Sequence, residues 1–163
     1  MTTTSVRNHK AALRTIVLAG FFAGSLDAIA AVLSFFIKGG KDPFRIFQYI
    51  ASAAFGKEAF SGSWALGGLG ILFHFVIAYS FTILFFFLYK RWPILSKNIV
   101  ITPVFYGIFI WVIMNLVVLR MSKLTLKPFV AGDVLTGISV LVIAIGLPVT
   151  LFARKYYAET DSI

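Results

Sequence analysis

Apolar residues run through this chain in four long blocks, separated by short clusters of glycine, proline and charge. The blocks are Thr15–Ile37, about Trp64–Tyr89, about Ile99–Leu119 and about Phe129–Ala153. Each reaches the roughly 20 residues that carry an α-helix across about 30 Å of hydrocarbon. A helix satisfies its own backbone in lipid, so the pattern predicts an all-α integral membrane protein. Its expected architecture is a four-transmembrane-helix bundle forming one membrane domain over residues 1–163. Trp64, Tyr89, Trp92, Tyr156 and Tyr157 fall near the block ends, where aromatic belts sit.

A shorter pattern lies between the first two blocks, in GGKDPFRIFQYIASAAFGKEAFSGS. Gly39-Gly40 ends the first helix, Asp42 can cap the next, and Pro43 suits a first helical position. Gly56 supplies a C-terminal stop, so a helix over about 43–55 is expected. Arg45, Gln48 and Ser52 form a narrow polar stripe on it. Its core of 12 residues makes a rod of about 18 Å, too short to span the bilayer. It is therefore interfacial or re-entrant, and the wide apolar face favours a helix lying among the headgroups.

Composition strengthens the class. The 163 residues are 60% hydrophobic and 13% charged, against about 25% charged in soluble domains. Eighteen Phe and a mean hydropathy of +0.93 make the lipid bilayer the expected partner. The net charge of +9 suggests nucleic acid at first sight, but the basic residues sit at block ends and form no stripe or arm. That is the placement of membrane flanks, so no nucleic-acid partner is expected. With no Cys, disulfides, thiolate metal sites and a Cys nucleophile are excluded.

The segment MTTTSVRNHKAALR is basic and free of acids, and Ala28-Ile29-Ala30 has the look of a signal-peptidase site. The apolar run continues past it to Ile37, so an uncleaved first membrane helix is expected; a mitochondrial-type leader is the alternative. Four spans put both termini and the 90–98 loop on one side. That side carries Arg7, Lys10, Arg14, Lys90, Arg91, Lys97, Arg154 and Lys155. The other carries Lys38, Lys41, Arg45, Lys57, Arg120, Lys123 and Lys127. Eight against seven, with three bases leading the first helix, tips the expectation toward cytoplasmic termini.

Depth then picks out candidate chemistry. Asp27 lies ten residues before the end of the first span and His74 ten after the start of the second. At 1.5 Å per residue both sit about 15 Å below the same face. An ionisable group there costs several kcal/mol unless it is paired or serves a function. Asp27 and His74 are therefore expected to face one another or a shared wet cavity. Asn115 and Asp133 lie four residues inside the same face, about 6 Å deep, and with Tyr106 or Tyr79 would line a polar funnel leading down to the pair. The bland readings compete: Asn115 as interhelical glue, and Asp133 as a snorkelling or capping residue.

Small residues surround Asp27. Gly20, Gly24 and Ala28 recur every four residues, which lets another helix approach closely. The expected partner is the second span, where Gly67, Gly68 and Gly70 lie near His74, or the first helix of a second copy. No second midplane His for haem, no E-x-x-H pair, no G-x-S-x-G and no phosphate-binding glycine loop is present. Enzymatic activity, a metal and a cofactor are accordingly not expected, and no catalytic residue is nominated.

The segments FRIFQYIASAAFG (44–56), AFSGS (59–63), LGILFHFVIAYS (69–80) and PVFYGIFIWVIMNLVVL (103–119), with the G-x-x-x-G-x-x-D of the first helix, resemble a group of small, uncharacterised bacterial four-helix membrane proteins. That group is distantly similar to the YagU type of inner-membrane protein. The resemblance implies a bacterial inner-membrane location, an unassigned function loosely linked to acid tolerance, and recurrent polar sites at Asp27, Gln48, His74 and Asn115. The expected role is binding or passing a proton, ion or small polar solute at Asp27/His74, with pH sensitivity from the histidine. The alternative is a non-catalytic accessory or assembly subunit, in a homo-oligomer or a larger membrane complex.

Overall fold

The computed structural model describes residues 3–61, 64–124 and 128–161. Lys127 of the charge balance, and Gly62 and Ser63 of AFSGS, lie outside the described residues. Every regular element among the described residues is helical, and four helices are long and apolar enough to cross a membrane. The protein is an all-α four-helix membrane bundle.

Helix α1 runs Thr3–Ile37 and includes Ala28–Ala30 without a break. Its end is built by the two glycines. Gly39 takes a positive φ of 83°, and the Gly39 and Gly40 amides donate to the carbonyls of Phe36 and Phe35. These reversed bonds satisfy carbonyls that the helix end would otherwise orphan. Helix α2 follows at Phe44–Phe55, with Pro43 at its cap rather than in its first turn. The Asp42 carboxylate accepts the Phe44 amide at 3.0 Å, and Gly56, with φ 67°, closes the other end. After a 3-10 turn at Gly56–Phe60 come α3 (Trp64–Arg91), the short α4 (Ile94–Lys97) and α5 (Ile101–Met121). The last span, α6, is continuous from Ala131 to Asp161.

Glycines decide which helices come close. On α1, Gly20 meets the Tyr79 ring, while Gly24 meets Phe75 and the Ala78 methyl, so its small-residue face seats α3. On α5 and α6, a Cβ at Gly107 would strike the Val142 backbone and one at Gly146 the Pro103 carbonyl. Helix α1 also packs on α6. The gap between α3 and α5 is filled by rings instead: Phe85 lies 4.6 Å from Tyr106 between centroids, and the Tyr106 hydroxyl donates to the Phe81 carbonyl. Phe85, Ile110 and Val149 are fully buried at the centre of this core.

Both α5 and α6 contain a π-helical turn, at Ile113–Val118 and Val142–Gly146. The second has a covalent cause nearby. Pro148 lacks an amide hydrogen and crowds the carbonyl one turn back, and the wider turn just before it accommodates both defects.

Two expectations change here. Gly67 and Gly70 do not receive α1; they receive α2, with the Phe44 ring against Gly67 and the Phe47 carbonyl against Gly70. Together with stacking of Phe55 on Phe73, these contacts advance along both helices in the same direction, so α2 lies lengthwise on the start of α3. The polar stripe of α2 also divides. Arg45 is exposed, whereas Gln48 and Ser52 are buried against the bundle. The Ser52 hydroxyl resolves its burial locally by donating to the Tyr49 carbonyl at 2.6 Å.

Candidate functional site

Asp27 and His74 are brought together by the glycine seam between α1 and α3. Because Gly24 has no side chain, its carbonyl is open to the neighbouring helix, and His74 Nε2 lies 2.8 Å from that oxygen. A carbonyl only accepts, so this contact requires the proton on Nε2. The other nitrogen, Nδ1, faces Asp27 Oδ2 at 4.0 Å. This is outside direct hydrogen-bond length. The side chains are 11% and 22% exposed, respectively. The Phe75 ring stands edge-on to the imidazole, with centroids 5.4 Å apart, and limits its freedom to turn.

The tautomer gives the pair its chemistry. With Nε2 committed to Gly24, Nδ1 presents a lone pair to the carboxyl group whenever the ring is neutral. One proton shared between Nδ1 and Oδ2 leaves the pair with no net charge, either as acid and imidazole or as carboxylate and imidazolium. That is the least costly state for two ionisable groups in an apolar bundle.

Asn115 and Asp133 form a different feature. Both line a cleft of about 440 Å³ between the end of α5 and the start of α6, closed on one side by Tyr49 of α2. Neither Asp27 nor His74 lines it, so the expected funnel does not form one continuous site. Its two proposed tyrosines are engaged elsewhere: Tyr106 donates to Phe81 in the core, and Tyr79 donates to the Val17 carbonyl at 3.1 Å. The Asn115 amide donates to the Trp111 carbonyl at 2.9 Å, one α-turn back on its own helix. Asp133 accepts from Lys38 Nζ at 2.6 Å, joining the ends of α1 and α6 in an exposed ion pair.

Lys38 and Arg120 were readable in the sequence only as basic flanks; their neighbours depend on how the helix ends converge. Gly107 and Gly146, the tightest contacts of the α5–α6 seam, gave no signal because each stands alone in an apolar run. Among the described residues no cluster of His, Asp and Glu could hold a metal ion. No protein-family model, curated protein or solved structure matches this chain.

Proposed function

We propose that this membrane protein binds or passes a proton, or a small cation in its place, at the Asp27–His74 pair. One observation carries the reading: His74 is anchored through Nε2 to the Gly24 carbonyl, which leaves Nδ1 as the group that exchanges a proton with Asp27. In the one-proton state the pair is neutral. A second proton makes it cationic, and loss of the first makes it anionic, so each step changes the charge held inside an apolar bundle. The pair is therefore a point at which a proton can be taken up and released. The setting that accompanies this reading is a bacterial inner membrane with both termini in the cytoplasm. It is supported by the basic start of α1 and by the sequence resemblance described above.

The test is proton and cation flux into liposomes holding the purified protein, followed with an internal pH dye. Wild type conducts; Asp27→Asn and His74→Ala abolish conduction. A silent wild type, or flux unchanged in both variants, defeats the proposal. Silence combined with a co-purifying partner that is lost on mutation supports the accessory-subunit alternative.

A further inference from the structure

The cleft between α5 and α6 holds chemistry that the Asp27–His74 pair does not use. Its apolar lining includes Trp111, Phe129, Val130 and Val134. Trp111 and Phe129 meet with ring centroids 5.5 Å apart. Its rim is polar, and its charges are unequal. Asp133 already has a cation, because Lys38 Nζ lies 2.6 Å from its carboxylate. Arg120 lines the same cleft, is exposed, and has no ion-pair or hydrogen-bond partner among the described residues. What remains uncompensated is one guanidinium, the group best shaped to grip a phosphate with paired donors.

The location adds to this. Arg120 ends an apolar span, the level at which lipid headgroups meet the protein, and the cleft continues from it onto aromatic and branched side chains. A site with a cation at the rim and an apolar wall beneath it matches an amphiphile rather than a bare ion. Asn115 and the Tyr49 phenol from α2 add polar lining to this space. We infer that the α5–α6 cleft binds an anionic phosphate amphiphile, its phosphate on Arg120 and its apolar part against Trp111, Phe129 and Val134. The membrane source of such a molecule is an anionic phospholipid. The assignment does not rest on the Asp27–His74 reading, since neither residue lines the cleft.

Trp111 supplies the probe. The protein has three tryptophans, so Trp64→Phe with Trp92→Phe leaves Trp111 as the only emitter. The full-length protein in neutral detergent is titrated separately with dihexanoyl phosphatidylglycerol, dihexanoyl phosphatidylcholine and inorganic phosphate. The expected result is a saturable change in Trp111 emission with the anionic lipid alone. Arg120→Gln weakens it at least tenfold, while Arg91→Gln, at the opposite end of the bundle, leaves it unchanged. Unchanged helical circular dichroism in Arg120→Gln confirms that the loss is local. Four results each overturn the assignment: no saturable response to any probe, equal effects of the two arginine variants, saturation by inorganic phosphate at the lipid's concentration, or an equal response to phosphatidylcholine.

Discussion

Gly68 and Gly70 stand two residues apart on α3, and alanine at each should move stability in opposite directions. A Cβ at Gly70 meets the carbonyl oxygen, carbonyl carbon and Cα of Phe47, all backbone atoms of α2 that no side-chain rotation can clear. Overpacking costs about 1–3 kcal/mol, and a rigid obstacle places this site near about 3 kcal/mol. Alanine's better helix propensity returns about 1 kcal/mol, leaving Gly70→Ala roughly 2 kcal/mol less stable. At Gly68 nothing lies within 4 Å of the added methyl, so only the gain of about 1 kcal/mol remains. The two variants therefore differ by about 3 kcal/mol, on the order of a hundredfold in the unfolding equilibrium. Unfolding by SDS in mixed micelles, read by circular dichroism, measures the difference. Because α2 is the element displaced, trypsin should also cut faster at Lys57, just beyond it, in Gly70→Ala alone. Coincident unfolding curves would show that α2 does not rest on Gly70, and a Gly68→Ala protein weaker than wild type would refute the open space at Gly68.

Nitrogen NMR of labelled histidine should find the neutral His74 ring carrying its proton on Nε2; a bare Nε2 would refute the Gly24 anchor. Tyr106→Phe keeps the ring between α3 and α5 but removes the hydroxyl bond to the Phe81 carbonyl, and thermal unfolding should report a loss of about 1 kcal/mol. The Lys38–Asp133 pair is 62% exposed on both sides, so a double-mutant cycle should give a coupling of at most about 1 kcal/mol that fades in 1 M salt. A larger, salt-resistant coupling would mean the pair is buried in the membrane-embedded protein.

The bundle was legible because lipid imposes a length on each span, and glycine, proline and charge punctuate the runs between them. The bounds of α2 came from the same punctuation: Gly39-Gly40 before it and Gly56 after it. Depth arithmetic placed Asp27 beside His74 because two spans meeting at one face carry equal rises per residue. Facing was much less legible. Where both the lipid side and the core side of a helix are apolar, no polar periodicity marks the buried face. The glycines of α3 announced a close neighbour without naming α2. Gln48 and Ser52 read with Arg45 as one polar stripe because residue type alone does not distinguish headgroups from a polar seam. The π-turns left no trace apart from Pro148. The cleft depended on Lys38, Tyr49, Arg120 and Asp133 converging from separate elements, which spacing along the chain cannot report.

The glycine seams have a consequence for biosynthesis. One closes α1 on α3 and the other closes α5 on α6, so each joins consecutive membrane spans. The α1–α3 hairpin can zip before α5 and α6 are made, and the α5–α6 hairpin closes when the last span emerges. Contacts of α1 with α6 must wait for the last span, whereas the ring contacts of α3 with α5 can form once α5 is made. The first hairpin thus follows the order of synthesis, and the two halves meet through rings and methyl groups, whose shapes tolerate small errors of approach.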